Sequence, residues 1–475
     1  MNIKNRLLKK FMSFSYGSVI GAGIAFITTM FITRILPPEE FGKASMFTLF
    51  VSIAMIIAVF GTDQAFVRFF YEEKEEKRGA LLYNCLNVAV LILLPVLVII
   101  VLVRVKLLDF LFSEYSITTF WVLLVAVCVQ VLYRFATLVI RMQQKGNLYS
   151  VLEILNKSFI FLGVLIFFPL FGSTYKILIY SMVATFFLLV AFLIFSQKNY
   201  WSIRNLGDNS AMHSKRDILN YSYPLVFNTA LMWIFEGFDK FAIRKWTDFN
   251  ELGLYAAAFK IIGVLAIMKA AFTTFWTPVA YEMYHKNPSN TSFFSRVSKV
   301  VTLMMLLVAI VVIMLKDIII MLLGEGYEES SLMLSFLVFI PIMYTISETT
   351  VIGINFYKKV KWHVLIASIV CLVNIISNWW LVPLYGGIGA SVSTGISYIL
   401  FFTLRTLISL YYYKVDYGLK KVYACTAVLV AYASYTLFTY QPLNEKTVGL
   451  VAIILITLIY SSDIKQILKL RNEVE

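Results

Sequence analysis

Six ionisable side chains stand in stretches that are otherwise apolar enough to lie in lipid. Glu236, Asp239 and Lys240 fall within "MWIFEGFDKFAIRKW" (232–246), Glu153 and Lys157 within "SVLEILNKSFIFLG" (150–163), and Lys260 within "YAAAFKIIGVLAI" (255–267). A charge at the bilayer midplane costs about 2.5–3.5 kcal/mol on insertion scales, so it faces a partner or a wet cavity. Cations at that depth can draw in an anionic group, and carboxylates can take up an ion. Lys157 lies ten residues into its span and Lys260 nine, some ~15 Å and ~13 Å at the helical rise. Arg134, Lys269 and Arg405 lie nearer the ends of their spans, where a long side chain can snorkel.

Spacing separates self-paired charges from the rest. Glu153 and Lys157 are four apart with the acid first, as are Glu236 and Lys240, the order that favours an intrahelical ion pair. Lys260 has Ala256, Ala257, Gly263 and Val264 at the positions where a partner would stand. Two readings therefore remain open for it. It either lines a functional cavity or pairs with an acid on another helix, such as Glu153 or Glu348. Asn374 and Asn378, also four apart, either add polar lining or bond between helices.

These residues need a membrane scaffold to hold them. The 475 residues are 60% hydrophobic and 14% charged, against about 45–50% and 25% in soluble domains. Continuous apolar runs predict an all-α integral membrane protein with fourteen spans: 11–35, 42–67, 79–103, 117–140, 147–170, 174–195, 218–243, 251–275, 297–315, 331–355, 362–382, 388–412, 420–439 and 446–461. With the N-terminus inside, 25 Lys and Arg fall on inner segments and nine on outer ones. That asymmetry places both termini in the cytoplasm. Contact with anionic lipid accounts for the +14 charge without nucleic acid.

The chain also resembles itself. "FITRILPPEEFG" (31–42) matches "FAIRKWTDFNELG" (241–253), "YE" at 71–72 matches 281–282, "LFSEY" (111–115) matches "LGEGY" (323–327), and "PLFG" (169–172) matches "PLYG" (383–386), at offsets drifting from 210 to 214. Six helices per repeat predict two parallel lobes, 1–195 and 218–412, around a central cavity. A cytoplasmic linker, 196–217, joins them, and 413–475 adds two helices and a tail. The deep charges do not repeat. Cys85, Cys128, Cys371 and Cys425 lie scattered in apolar runs and read as core residues. His213, His285 and His363 read as solvated loop residues. No P-loop or metal-spaced cluster occurs, so no cofactor is expected and the chain is not read as an enzyme.

The stretches "ITRILPPEEFG", "RFFYEE" (68–73), "WIFEGFDKFAIRKW…ELGLYAAAFKI" (233–261) and "LGEGY" resemble the polysaccharide-export branch of the multidrug/oligosaccharidyl-lipid/polysaccharide flippase superfamily, over essentially the whole chain. That resemblance implies alternating-access translocation of an undecaprenyl-diphosphate-linked oligosaccharide across a bacterial cytoplasmic membrane. It also implies a cationic lumen for the head group, with polymerase and glycosyltransferases as partners. Asp239 and Lys240 match the family's aspartate and cation in the seventh helix. Lys240 stands where arginine is common, and a lysine offers phosphate a point charge rather than a fork. A lipid II flippase or a drug/ion antiporter of the same superfamily remains as an alternative. A membrane polymerase or glycosyltransferase fits less well, because the outer loops are short.

Overall fold

The computed structural model describes residues 3–205, 211–438 and 442–463, and every regular element in them is helical. The chain forms two compact units, Met1–Gly237 and Phe238–Glu475. The first holds α1 (Ile3–Ile35), α2 (Pro38–Val59), α3 (Thr62–Phe69), α4 (Arg78–Leu102), α5 (Arg104–Phe112), α6 (Ile117–Met142), α7 (Gly146–Phe171), α8 (Lys176–Ser196) and most of α9 (Lys215–Trp246). The second holds α10 (Phe249–Lys286), α11 (Thr291–Met314), α12 (Lys316–Ile320), α13 (Ser330–Leu337), α14 (Phe339–Thr350), α15 (Ile352–Phe356), α16 (Lys361–Tyr412), α17 (Leu419–Phe438) and α18 (Pro442–Ile459).

The boundary lies inside α9 rather than in the polar stretch 196–217. Close packing explains why. The Ser222 carbonyl oxygen stands 2.9 Å from where a side chain at Gly61 would begin, and Leu49 is equally tight against Gly237. The last turns of α9 bond instead to helices of the second unit, through Asp239. The polar stretch itself is docked onto the first unit. His213 stacks on Phe69 with ring centroids 4.0 Å apart and meets Glu72 and Glu73 at 3.1 Å each. Its expected solvation is corrected: two acids and an aromatic face on the α3 side shield it.

Among the described residues, eleven helices are long and apolar enough to cross a membrane. One of them is α16, whose 52 residues would reach ~78 Å as a straight rod at the helical rise. Gly386 breaks it, with φ 55° and ψ −136°. The Ser377 and Ser393 hydroxyls, sixteen residues apart, meet at 2.6 Å. They can meet only if α16 folds back on itself near residue 385, so the helix is a hairpin of two spans. The fourteenfold count rests on the sequence; α9 and α18 occupy the places of its seventh and last spans.

The internal repeat has a physical counterpart inside each unit. Glu40, at the start of α2, accepts the Tyr175 backbone N–H at 2.7 Å, at the head of α8. Glu251, at the start of α10, accepts the Gly387 N–H at 2.8 Å, at the head of the second arm of α16. A carboxylate is favoured there because the first N–H groups of a helix lack intrahelical partners and carry the positive end of its dipole. Just before each contact comes a proline-bearing helix end and a glycine. Gly172 has φ 59° and ψ −157°, and Gly386 nearly repeats those angles. Only glycine adopts that region without strain. The α4–α5 and α11–α12 breaks also match, Val103 at φ −97° and ψ 9° and Leu315 at φ −97° and ψ 4°.

One difference stands out. Phe60 and Gly61, both at positive φ, split α2 from α3, whereas α10 runs unbroken for 38 residues. Ser222 of α9 fits against the split.

Alanine at Gly386 should cost about 1–3 kcal/mol, the strain of a side chain in that backbone region. A lowered unfolding temperature of purified protein in detergent would show it. Gly23→Ala, where a side chain meets nothing within 4 Å, should leave that temperature unchanged or slightly raised.

Candidate functional site

The best-built polar site lies in the second unit, on Asp239. Its side chain is 2% exposed. Four neutral groups donate to it: Tyr255 Oη at 2.6 Å and Thr394 Oγ1 at 2.5 Å to Oδ2, Asn378 Nδ2 at 2.7 Å and Asn374 Nδ2 at 3.3 Å to Oδ1. A carboxylate offers about four lone-pair positions, so this one is saturated as an anion. The α16 hairpin makes the arrangement possible. Asn374 and Asn378 stand one turn apart on its first arm, Thr394 faces them from the second, and Tyr255 comes from α10. Asn374 also reaches Ser393 and Thr394 at 3.5 and 3.4 Å.

The amide oxygens of Asn374 and Asn378 are buried and have no hydrogen-bond partner. An orphaned buried acceptor costs about 1–3 kcal/mol. This arrangement turns Asp239 toward neighbours within its own unit.

The other expected residues are scattered. Lys240, half-buried, holds its ammonium 5.6 Å from the centroid of the Phe259 ring, a cation–π contact. Glu236 lies on α9, but its side chain falls outside the described residues, and with it the Glu236–Lys240 pair. Lys260 is exposed on α10, beside Phe259 and two residues past the buried Ala258. Glu348, offered as its partner, is engaged by Arg405 at 2.9 Å.

In the first unit, Glu153 accepts from the Ser18 hydroxyl at 2.7 Å. With Gln130, Tyr133, Arg134, Tyr149 and Phe186 it lines a cavity of ≈250 Å³. Lys157 is half-buried on the same helix, one turn on. Glu153 and Lys157 thus stand one turn apart on α7, whereas Asp239 has neutral partners within its own unit.

Two expected snorkellers are corrected. Arg405 is 6% exposed, paired with Glu348 and 4.9 Å from the centroid of the Phe401 ring. Arg134 is held by Asp63 through Nε at 3.0 Å and Nη2 at 2.6 Å. Counting residues to a helix end misses these acids, which come from other helices. Lys316, at the start of α12, is a further buried cation. It is 2% exposed and bonded to Glu445 at 2.9 Å, a pairing no local spacing announces. For Asp239, the i,i+4 asparagines were the one signal in the sequence.

Solved structures share this helical fold. A lipid II flippase, MurJ, in an inward closed conformation aligns at TM-score 0.68 and 16% identity, over 95% of this chain and 99% of its own. An inward-facing MATE family transporter of the MOP superfamily aligns at TM-score 0.61 and 13% identity, over 83% and 93%. A Vibrio cholerae MATE transporter aligns at 0.51 and 16%, over 86% and 97%. The chain belongs to the polysaccharide biosynthesis protein family, whose model matches residues 7–284. Its structural neighbours are flippases and transporters, not enzymes. No curated protein matches the chain by sequence.

Removing one donor to Asp239 should weaken the second unit measurably. Tyr255→Phe deletes a hydrogen bond to a charged group, worth about 1.5–3 kcal/mol, and should lower the unfolding temperature in detergent. Thr394→Ser keeps a hydroxyl at the same place and should stay within ~1 kcal/mol of the parent.

Proposed function

We propose that this protein is a flippase that carries an undecaprenyl-diphosphate-linked oligosaccharide repeat unit across the bacterial cytoplasmic membrane by alternating access, for cell-surface polysaccharide synthesis. Membership of the polysaccharide biosynthesis family carries the reading, and the match in fold to a lipid II flippase supports it. Lys260 is the residue proposed to attract the diphosphate. Its side chain is exposed on an otherwise apolar stretch, where low dielectric strengthens attraction to an anion. Lys157 and Lys240 add positive charge, with Glu153 and Glu236 one turn before them. Both termini and the 196–217 linker are cytoplasmic in this reading, after the charge asymmetry. The partners it implies are the lipid-linked glycan, anionic lipids, and the polymerase and glycosyltransferases that handle the same glycan.

One observation favours a second reading, an ion-coupled drug antiporter. Asp239 is a buried carboxylate with neutral donors and spare oxygens beside it, the kind of group that can load and release a coupling ion. The two readings part in a deletion strain. Lys260→Gln should support normal protein abundance but lose surface glycan, with Lys260→Arg recovering part of it. A strain that keeps its glycan and becomes sensitive to cationic drugs would reverse the order of the readings.

Topology has its own test. A Met212→Cys variant in a cysteine-free background should resist an impermeant maleimide added to intact cells and react once the membrane is opened. Labelling from outside would invert the map.

A further inference from the structure

The ≈250 Å³ cavity of the first unit is too small for a drug-sized ligand, whose sites run about 300–1,000 Å³. We infer that it is a subsite for a single neutral sugar ring, resting on the reading of the substrate as a lipid-linked glycan.

Charge argues first against an anion. Arg134 is the one cation lining the cavity, and Asp63 already holds its guanidinium through two nitrogens on one carboxylate oxygen. Glu153 lines the opposite helix and is negative. A phosphate entering here meets a neutralised arginine and a repelling carboxylate. Gln130 points the same way. It lines the same cavity, and a neutral amide matches a hydroxyl, which both donates and accepts, better than it matches a phosphate, which only accepts.

The walls complete the match. The Tyr133 and Phe186 rings stand with centroids 4.9 Å apart and planes tilted by 40°, an apolar surface for the C–H face of a sugar. Tyr149, Glu153 and Gln130 place a phenol, a carboxylate and an amide around it. The phenol and the carboxylate are hydrogen-bonded to each other, and a ring hydroxyl that joins them can donate to one and accept from the other. The elements that set this geometry are α6 and α7, joined by the short turn at 143–145. The cavity begins about one helical turn from that turn, at Tyr149 and Thr137. A site built to bond hydroxyls discriminates strongly against ligands that lack them. This subsite would therefore select among glycans where the diphosphate, common to all of them, cannot.

Saturation-transfer NMR on the full-length protein in detergent tests the inference with glucose, galactose and N-acetylglucosamine as free sugars and inorganic pyrophosphate as the rival. At least one sugar should show saturable transfer. Gln130→Leu should weaken it tenfold or more, and so should Tyr149→Phe, which preserves the ring and guards against a folding defect in the first variant. Sugar binding that survives both cavity variants, pyrophosphate binding that depends on Gln130, or no sugar binding at all would each overturn the proposal. Its failure stays distinct from that of the flippase reading. Glycan export that depends on Lys260 with no sugar binding defeats the subsite alone. Sugar binding in a protein whose deletion leaves surface glycan intact defeats the flippase reading and leaves the subsite standing.

Discussion

A carboxylate set against the first N–H of a helix organises this molecule twice. Glu40 fastens the start of α2 to the head of α8, and Glu251 fastens the start of α10 to the head of the second arm of α16. The first N–H groups of a helix lack intrahelical partners, so a charge-assisted bond at that place ties α2 to α8 and α10 to the second arm of α16. Around those two contacts the sequence motifs acquire a cause. "EFG" and "ELG" carry the carboxylate, and "PLFG" and "PLYG" end one helix and turn the chain toward the N–H that receives it. What reads as weak self-similarity along the chain is one joint used in both units.

The buried charges obey the same economy by other means. Arg134 finds Asp63, Arg405 finds Glu348, and Lys316 finds Glu445, each pair drawn from separate helices. Asp239 is handled differently. It is saturated by four neutral donors, so its charge is stabilised without being cancelled. A paired charge is fixed structure. Asp239 rests instead on hydrogen bonds that leave its charge in place.

How far the sequence led follows from the range of each interaction. Composition and run length specify helices and a membrane because both depend on local hydropathy. The repeat was legible because the joint needs particular residues, glycine at a positive φ and an acid at a helix start. The joint itself was not, since its two ends lie 135 or 136 residues apart. The same limit misjudged Arg405 and Arg134, read from distance to a helix end alone, and His213, read as solvated because its segment is polar. Asn374 and Asn378 showed by spacing that they share a face, but not that the face meets Asp239. Lys157 and Glu153 were nearer to hand, being neighbours on one helix.

The turn at Gly386 has a consequence for the surface of the protein. Two spans are joined there with no loop, since the helix is resumed at the next residue. A protease needs several extended residues to seat a substrate strand, and this turn offers none. An epitope or reporter inserted between Tyr385 and Gly387 would have to displace the Glu251 contact to be accommodated, so the turn resists tagging as well as cleavage.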